Sequence, residues 1–164
     1  MSVAVRVVTN TEKMAANWRV AMFGLTNLFL MTHRSFAAAG IAFTPTELQI
    51  FLTVGVANVQ KLMRERQIPE GFAATEVLPR EWVVPISRNA IASATGLPRE
   101  TVRRQVEKLI ERGLLIDDPR GGVTQPVGYI EQYQLVPLLE PMMAEFTKTA
   151  EQLIRLGVIA RETD

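Results

Sequence analysis

Gly96 constrains the fold of this chain more than any other residue. It separates two short runs of helical periodicity, and glycine is the residue that turns a chain through the left-handed region without steric penalty. Before it, Ser87 is placed to cap a short helix in which Ala90, Ile91 and Ala94 face inward. After it, Val102, Val106 and Leu109 recur at helical spacing and return a second helix to the same core. Ala92 lies four residues before the glycine, where two crossing helices leave room only for a small side chain. The spacing predicts helix, glycine turn, helix.

The residues that follow predict a hairpin. Leu114 to Ile116 reads as a short strand, Asp118-Pro119-Arg120-Gly121-Gly122 has the composition of a turn, and Val123 and Thr124 resume a strand. A hairpin so placed is a wing. Arg120, near its tip, is positioned to reach a phosphate or the adjacent minor groove.

The outward face of the second helix carries the residue types that read base edges. With Val102, Val106 and Leu109 turned inward, Arg104 points most directly outward, and Glu100, Thr101 and Lys108 lie broadly opposite the core. Arg donates to guanine O6 and N7, and Glu accepts from cytosine N4, so a G·C pair is expected in each half-site. Arg99, Glu100, Thr101 and Arg104 are the candidate base contacts. Ser87, Arg103, Lys108 and Arg120 are the candidates for the backbone or the wing contact. Glu107 and Glu111 would be repelled by phosphates, so only the N-terminal half of the helix is expected to enter the groove.

Residues Ile91 to Ile116 resemble the winged helix-turn-helix of bacterial transcription regulators. The run Gly96-Leu97-Pro98-Arg99-Glu100-Thr101-Val102-Arg103-Arg104 is similar to the recognition segment of the cyclic-AMP receptor protein family and of GntR-type regulators. The resemblance implies that Arg99, Glu100 and Arg104 occupy base-contacting positions. Arg103 stands where the receptor-protein family often has a small residue, a substitution ordinary in the GntR type. The helices before and after the motif resemble the layout of MarR-like regulators, in which terminal helices make the dimer, and no cyclic-nucleotide domain is legible before the motif.

The rest of the chain reads as a mount. The expected fold is mainly α with a small β wing, a winged helix-turn-helix with flanking N- and C-terminal helices. Its regions are 1–80 (helical, core and dimerisation), 81–128 (the winged motif) and 129–164 (a C-terminal helix for dimerisation). Ser2 to Thr9 has the β-branched density of a strand, and Asn10-Thr11 turns it into a helix. From Met14 onward, Ala15, Trp18, Met22, Leu25 and Phe29 form one apolar stripe, and Met14, Ala21 and Leu28 a second. Such a helix needs cover on two sides, from its own chain and from a second subunit, or else from the core alone. Thr44-Pro45-Thr46-Glu47 is a helix start, and the helix it opens runs through Leu48, Phe51, Leu52, Val59, Leu62 and Met63, with Gly55 as a close-contact point. Arg64-Glu65-Arg66 ends it; with Lys61 these read as a solvated cluster, phosphate contact being the alternative. Ile68 to Pro85 is a connector that Phe72 and Trp82 pin to the core. After a link over Tyr129 to Val136, Pro137 leads a helix through Leu139, Met142, Met143, Phe146, Thr149, Ala150, Leu153 and Ile154.

Composition narrows the function classes. The 164 residues are 48% hydrophobic, which allows a real core, and there is no cysteine for a disulfide or thiolate metal site. With 18 Lys and Arg against 17 Asp and Glu, any nucleic-acid binding must come from local placement of charge. His33 is the only histidine and sits at a helix end; with no nucleophile context, no metal-ligand spacing and no glycine-rich phosphate loop, the chain does not read as an enzyme and no metal or cofactor is expected. The N-terminus shows no targeting signal, and the apolar run from Val20 to Met31 is about a dozen residues where a membrane span needs roughly 20. The expectation is a cytoplasmic, homodimeric, sequence-specific regulator whose partner is double-stranded DNA, with room for a small apolar effector between the terminal helices and the winged domain. The alternative is a winged-helix module that binds protein without sequence-specific DNA binding.

Overall fold

The computed structural model describes residues 6–65, 68, 70–73 and 77–162. Arg66 and the first residues of the strand expected over Ser2 to Thr9 lie outside the described residues. In chain order the elements are β1 (Val7–Thr9), α1 (Thr11–Ala16), α2 (Trp18–Ala38), α3 (Pro45–Asn58), α4 (Gln60–Met63), α5 (Glu70–Ala73), α6 (Arg88–Thr95), α7 (Arg99–Glu111), β2 (Ile116–Asp117), β3 (Val123–Thr124), α8 (Tyr129–Gln132), α9 (Leu135–Arg155) and β4 (Ile159–Arg161). The fold is mainly α with a small β wing, a winged helix-turn-helix flanked in sequence by terminal helices. No helix among the described residues is long and apolar enough to cross a membrane.

Two compact units form, one from the chain ends (up to Ile41 and from Val136) and one from Ala42 to Leu135. These breaks differ from those expected at 80 and 128, because α3 is part of the winged core. Leu48, Ile50, Phe51 and Val54 of α3 and Ile91, Val102, Val106 and Leu109 of α6 and α7 are each 2% exposed or less. Burial of one such side chain contributes about 1.5–3 kcal/mol, so this three-helix contact holds the unit together.

Local chemistry sets the ends of these helices. Thr44 Oγ1 accepts from the Glu47 amide at 3.2 Å while the Thr44 amide donates to Glu47 Oε2 at 2.8 Å, and Pro45 opens α3. Asn58, buried at the other end, donates to the Val84 carbonyl at 2.8 Å and accepts from the Gln125 amide at 2.9 Å. One amide thus ties the connector and the end of the wing to α3. Gly55 is a close-contact point as expected, since a Cβ there would meet the Gln125 side chain at 2.9 Å.

Two expectations inside this unit are corrected. Ala90 and Ala94 are exposed, and Ile91 and Ala92 face the core; a helix that turns residues 91 and 92 inward carries 90 and 94 to its outer flanks. The strand expected from Leu114 begins at Ile116. Gly113, at φ +71°, reverses the chain so that Leu114 and Leu115 drop into the core, their amides reaching the Leu109 carbonyl at 2.9 and 3.3 Å.

Arg112 joins the far end of α7 to the start of α3. Its guanidinium donates to Glu47 Oε2 at 3.3 Å and to the Ala42 carbonyl at 2.6 Å, with its carbon 5.5 Å from the centre of the Phe43 ring. Arg112→Ala should lower the stability of this unit by about 1–2 kcal/mol, read as a drop in thermal midpoint. Arg112→Lys should recover little of it, since lysine cannot reach both acceptors in one plane.

The unit of chain ends is built differently. β1 and β4 pair antiparallel, Val7 with Arg161, Val8 with Ala160 and Thr9 with Ile159, and Asn10 caps α1 through Oδ1 on the Lys13 amide at 2.9 Å. α2 presents Val20, Ala21, Gly24, Asn27, Leu28 and Met31 as its more buried stripe. Gly24 lies against Thr149 of α9, where an added methyl would collide with Thr149 Cγ2, and Asn27 Nδ2 donates to Glu145 Oε1 at 2.8 Å. The other stripe, Trp18, Met22, Leu25 and Phe29, is more than half exposed at every position. α9 divides likewise: Leu138, Thr149 and Leu153 are buried, while Leu139, Met143, Phe146 and Ile154 are exposed.

Candidate nucleic-acid interface

The helix-turn-helix is held by short-range bonds. Ser87 Oγ accepts from the Ala90 amide at 3.1 Å and starts α6. At the other end Gly96 adopts φ +71° and donates to the Ala92 carbonyl at 2.9 Å. A Cβ on Gly96 would meet nothing within 4 Å, so the glycine is required by its backbone conformation and not by space. Thr95 Oγ1 donates to the Ile91 carbonyl at 2.7 Å and accepts from the Leu97 amide at 3.3 Å, which fixes the path into the turn. Pro98 then sets an extended entry before α7 without a side-chain cap.

The outer surface of α7 divides into two rows. Thr101, Arg104 and Lys108 form one, and Glu100, Arg103 and Glu107 the other. Arg99, Arg104 and Lys108 are exposed and make no ion pair among the described residues. Thr101 is half-buried, so it reaches outward less than Arg104. Arg103, expected at the backbone, is engaged within the helix surface: Nε and Nη2 donate to the two oxygens of Glu100 at 2.9 and 2.6 Å, and Nη1 donates to Glu107 Oε1 at 2.6 Å. The hydrogen bond from Arg103 holds the Glu100 carboxyl below the usual carboxylate range, and the two carboxylates push the Arg103 guanidinium further up.

The wing is a small antiparallel pair, Ile116 with Thr124 and Asp117 with Val123, extended by a bridge from Ile86 to Val123. Gly122, at φ +90°, leaves space for the Ile86 backbone, which a Cβ would meet at 2.7 Å. Arg120 does not project freely from the tip. It donates from Nε and Nη2 to the Asp118 carboxylate, both at 3.0 Å, and reaches back to the carbonyls of Arg80 at 2.9 Å and Val83 at 3.0 Å. Arg80 adds a bond to Asp118 Oδ1 at 3.2 Å. The guanidinium therefore fastens the wing to the connector, which is itself packed through Trp82 against Phe72 (ring centres 6.0 Å apart) and under Lys61 Nζ at 5.0 Å. Lys61 also donates to the Glu81 carbonyl at 3.1 Å, so it is engaged with the connector.

Sequence reasoning missed Arg80 and Arg88 as parts of this surface and read Asp118 only as part of the wing's turn. Arg88 pairs with Asp117 at 2.9 Å and ties the start of α6 to β2. These partners lie far apart in sequence, and no local spacing announces them.

Asp118 gives the wing a pH signature. The bonds from Arg120, with help from Arg80, hold its carboxyl well below the usual range, against the opposing effect of burial. A carboxyl with a folded pKa below its unfolded value of about 3.9 stabilises the fold above that pH and ceases to as the pH falls through the folded value. Asp118→Asn should therefore be less stable than the parent at neutral pH, and the gap should begin to narrow as the pH falls below about 4 and shrink further towards the folded value, measured by unfolding at a series of pH values.

Residues 84–115 match the family model described as bacterial regulatory proteins, Crp family. The matched stretch holds Ser87, the Gly96 turn and all of α7, and it supports a DNA-binding helix-turn-helix regulator. Comparison with curated proteins found no match, and comparison with solved structures found none.

Proposed function

We propose that this chain is a sequence-specific DNA-binding transcriptional regulator that acts as a homodimer in the cytoplasm. The observation that carries the reading is the set of exposed cations on α7, Arg99, Arg104 and Lys108, that make no ion pair among the described residues, on a helix whose segment matches the Crp family. A guanidinium without an internal partner is free to form two bonds to guanine in the major groove. In this reading Arg99, Glu100, Thr101 and Arg104 meet base edges, while Ser87 and Lys108 meet the backbone. Arg120 supports the wing, and reaches phosphate only by giving up a bond to Asp118 or to the connector.

The partner for the apolar face of the terminal helices is a second copy of the chain. α2 and α9 are each 21 residues long, and Trp18, Met22, Phe23, Leu25, Phe29, Met143, Phe146 and Ile154 are all more than half exposed. Large apolar side chains left in water on both helices mark an interaction surface, and a stable interface buries on the order of 800 Å² per partner. An open groove of about 350 Å³ runs beside Trp18, Met22, Phe23 and Leu30, a shape that takes the ridge of another helix. A twofold pair presents the same patch on both subunits and carries two copies of α7, so the preferred site is an inverted repeat with half-sites about one helical turn apart. A small apolar effector belongs to the same reading, bound among apolar side chains of the terminal helices.

Anisotropy titration of the full chain against genomic duplexes tests the proposal. Binding to a subset of them, at least about 10³-fold tighter than to the bulk, is the expected result. Uniform weak binding would favour the protein-interaction module, for which the near-neutral net charge of +1 and the carboxylates of Glu107 and Glu111 on α7 are the motivating features.

A further inference from the structure

Arg103 stands between two carboxylates on an exposed helix face, and its geometry is not that of a cation waiting for a phosphate. It grips both oxygens of Glu100 and one of Glu107. The row Glu100, Arg103, Glu107 has two negative charges and one positive, whereas Arg104 and Lys108 in the neighbouring row are both cationic. A row with net negative charge is repelled by a phosphate strand, so it faces base edges when the helix enters the groove, and the strand passes Lys108, one turn beyond the base-reading Arg104.

We propose that Arg103 is a positioning residue that orients Glu100 for base reading and offsets its charge. This rests on the DNA-binding reading of α7. A carboxylate has about four lone-pair sites, and Arg103 occupies one on each oxygen of Glu100. The remaining sites stay open to an amino group such as cytosine N4, from a carboxylate that no longer swings between rotamers. Exposed ion pairs contribute little to stability, so the consequence of the clamp is orientation, and the fold does not depend on it.

The test compares Arg103→Ala and Lys108→Ala with the parent, using the full chain and its selected duplex. Each base pair of the duplex is replaced in turn, and the salt dependence of affinity is recorded. Arg103→Ala should lose discrimination at one base pair per half-site by about fivefold or more, with the parent's salt slope and an unchanged thermal midpoint. Lys108→Ala should do the reverse, lowering the slope by about 0.9 for each phosphate no longer neutralised, with the base preference intact. An Arg103→Ala protein that loses affinity uniformly across sequences, with a slope lowered as in Lys108→Ala, overturns the assignment and returns Arg103 to the backbone. That result leaves the DNA-binding reading standing. A parent protein with no preferred duplex overturns that reading, and the role of Arg103 falls with it.

Discussion

Arg104→Ala should abolish the preference for the selected DNA site while leaving the protein folded. The side chain is exposed and has no hydrogen-bond or ion-pair partner among the described residues, so its removal disturbs no packing and leaves no buried group unsatisfied. Its absence is felt only against DNA. One bidentate contact to guanine is worth about 1–3 kcal/mol of discrimination, and a dimer forfeits two, so affinity for the preferred site should fall by roughly 2–6 kcal/mol. Non-specific affinity should change far less. Arg104→Lys should restore little of the preference, because a point charge replaces a planar fork. Melting curves that match the parent, beside anisotropy curves that no longer separate preferred from scrambled duplex, are the expected pair of observations. Equal weakening on both duplexes would reassign Arg104 to the backbone.

On the proposed pairing of two chains through α2, Phe29→Glu should leave the protein monomeric. The residue is 66% exposed in a single chain and lies in the outer stripe of α2 with Trp18, Met22 and Leu25. A twofold interface meets the substitution twice, burying two unpaired carboxylates where two rings had packed. A cost of roughly 4–6 kcal/mol follows, which raises the dissociation constant at least about a thousandfold. Sedimentation equilibrium reads the change directly. The winged unit, with its own core of Ile50, Val54, Ile91, Val102, Val106 and Leu109, should keep its fold, and binding to a half-site should survive at lower affinity. A Phe29→Glu protein that remains a dimer would move the interface away from α2.

What the amino-acid sequence makes legible is local. The Gly96 turn, the inward Val102, Val106 and Leu109, the Ser87 cap and the Thr44-Glu47 capping box all depend on residues three or four apart, and each stands in the structure as the spacing predicts. The inner face of α6 differs from expectation because eight residues hold too few apolar side chains to fix a phase, so Ala90 and Ala94 look as good as Ala92. The two stripes of α2 are legible, but not which of them its own chain covers. Pairing between the chain ends, β1 with β4, and the bonds from Arg112 to Glu47 and from Arg120 to the connector span 37 to 70 positions or more, beyond the reach of periodicity. The Arg103 clamp is the instructive case. Carboxylates three residues before and four residues after an arginine are neighbours on any helix, so the pairing is present in the spacing, although an outward arginine considered alone looks free to meet phosphate.

Selection of duplexes from a random-sequence pool by the full chain, at about 0.15 M salt, is the most direct test that α7 reads DNA sequence. Enrichment of an inverted repeat, each half containing a G·C pair, with half-site centres about 10 base pairs apart, is the predicted result. A pool that emerges from repeated rounds without a shared sequence would contradict it.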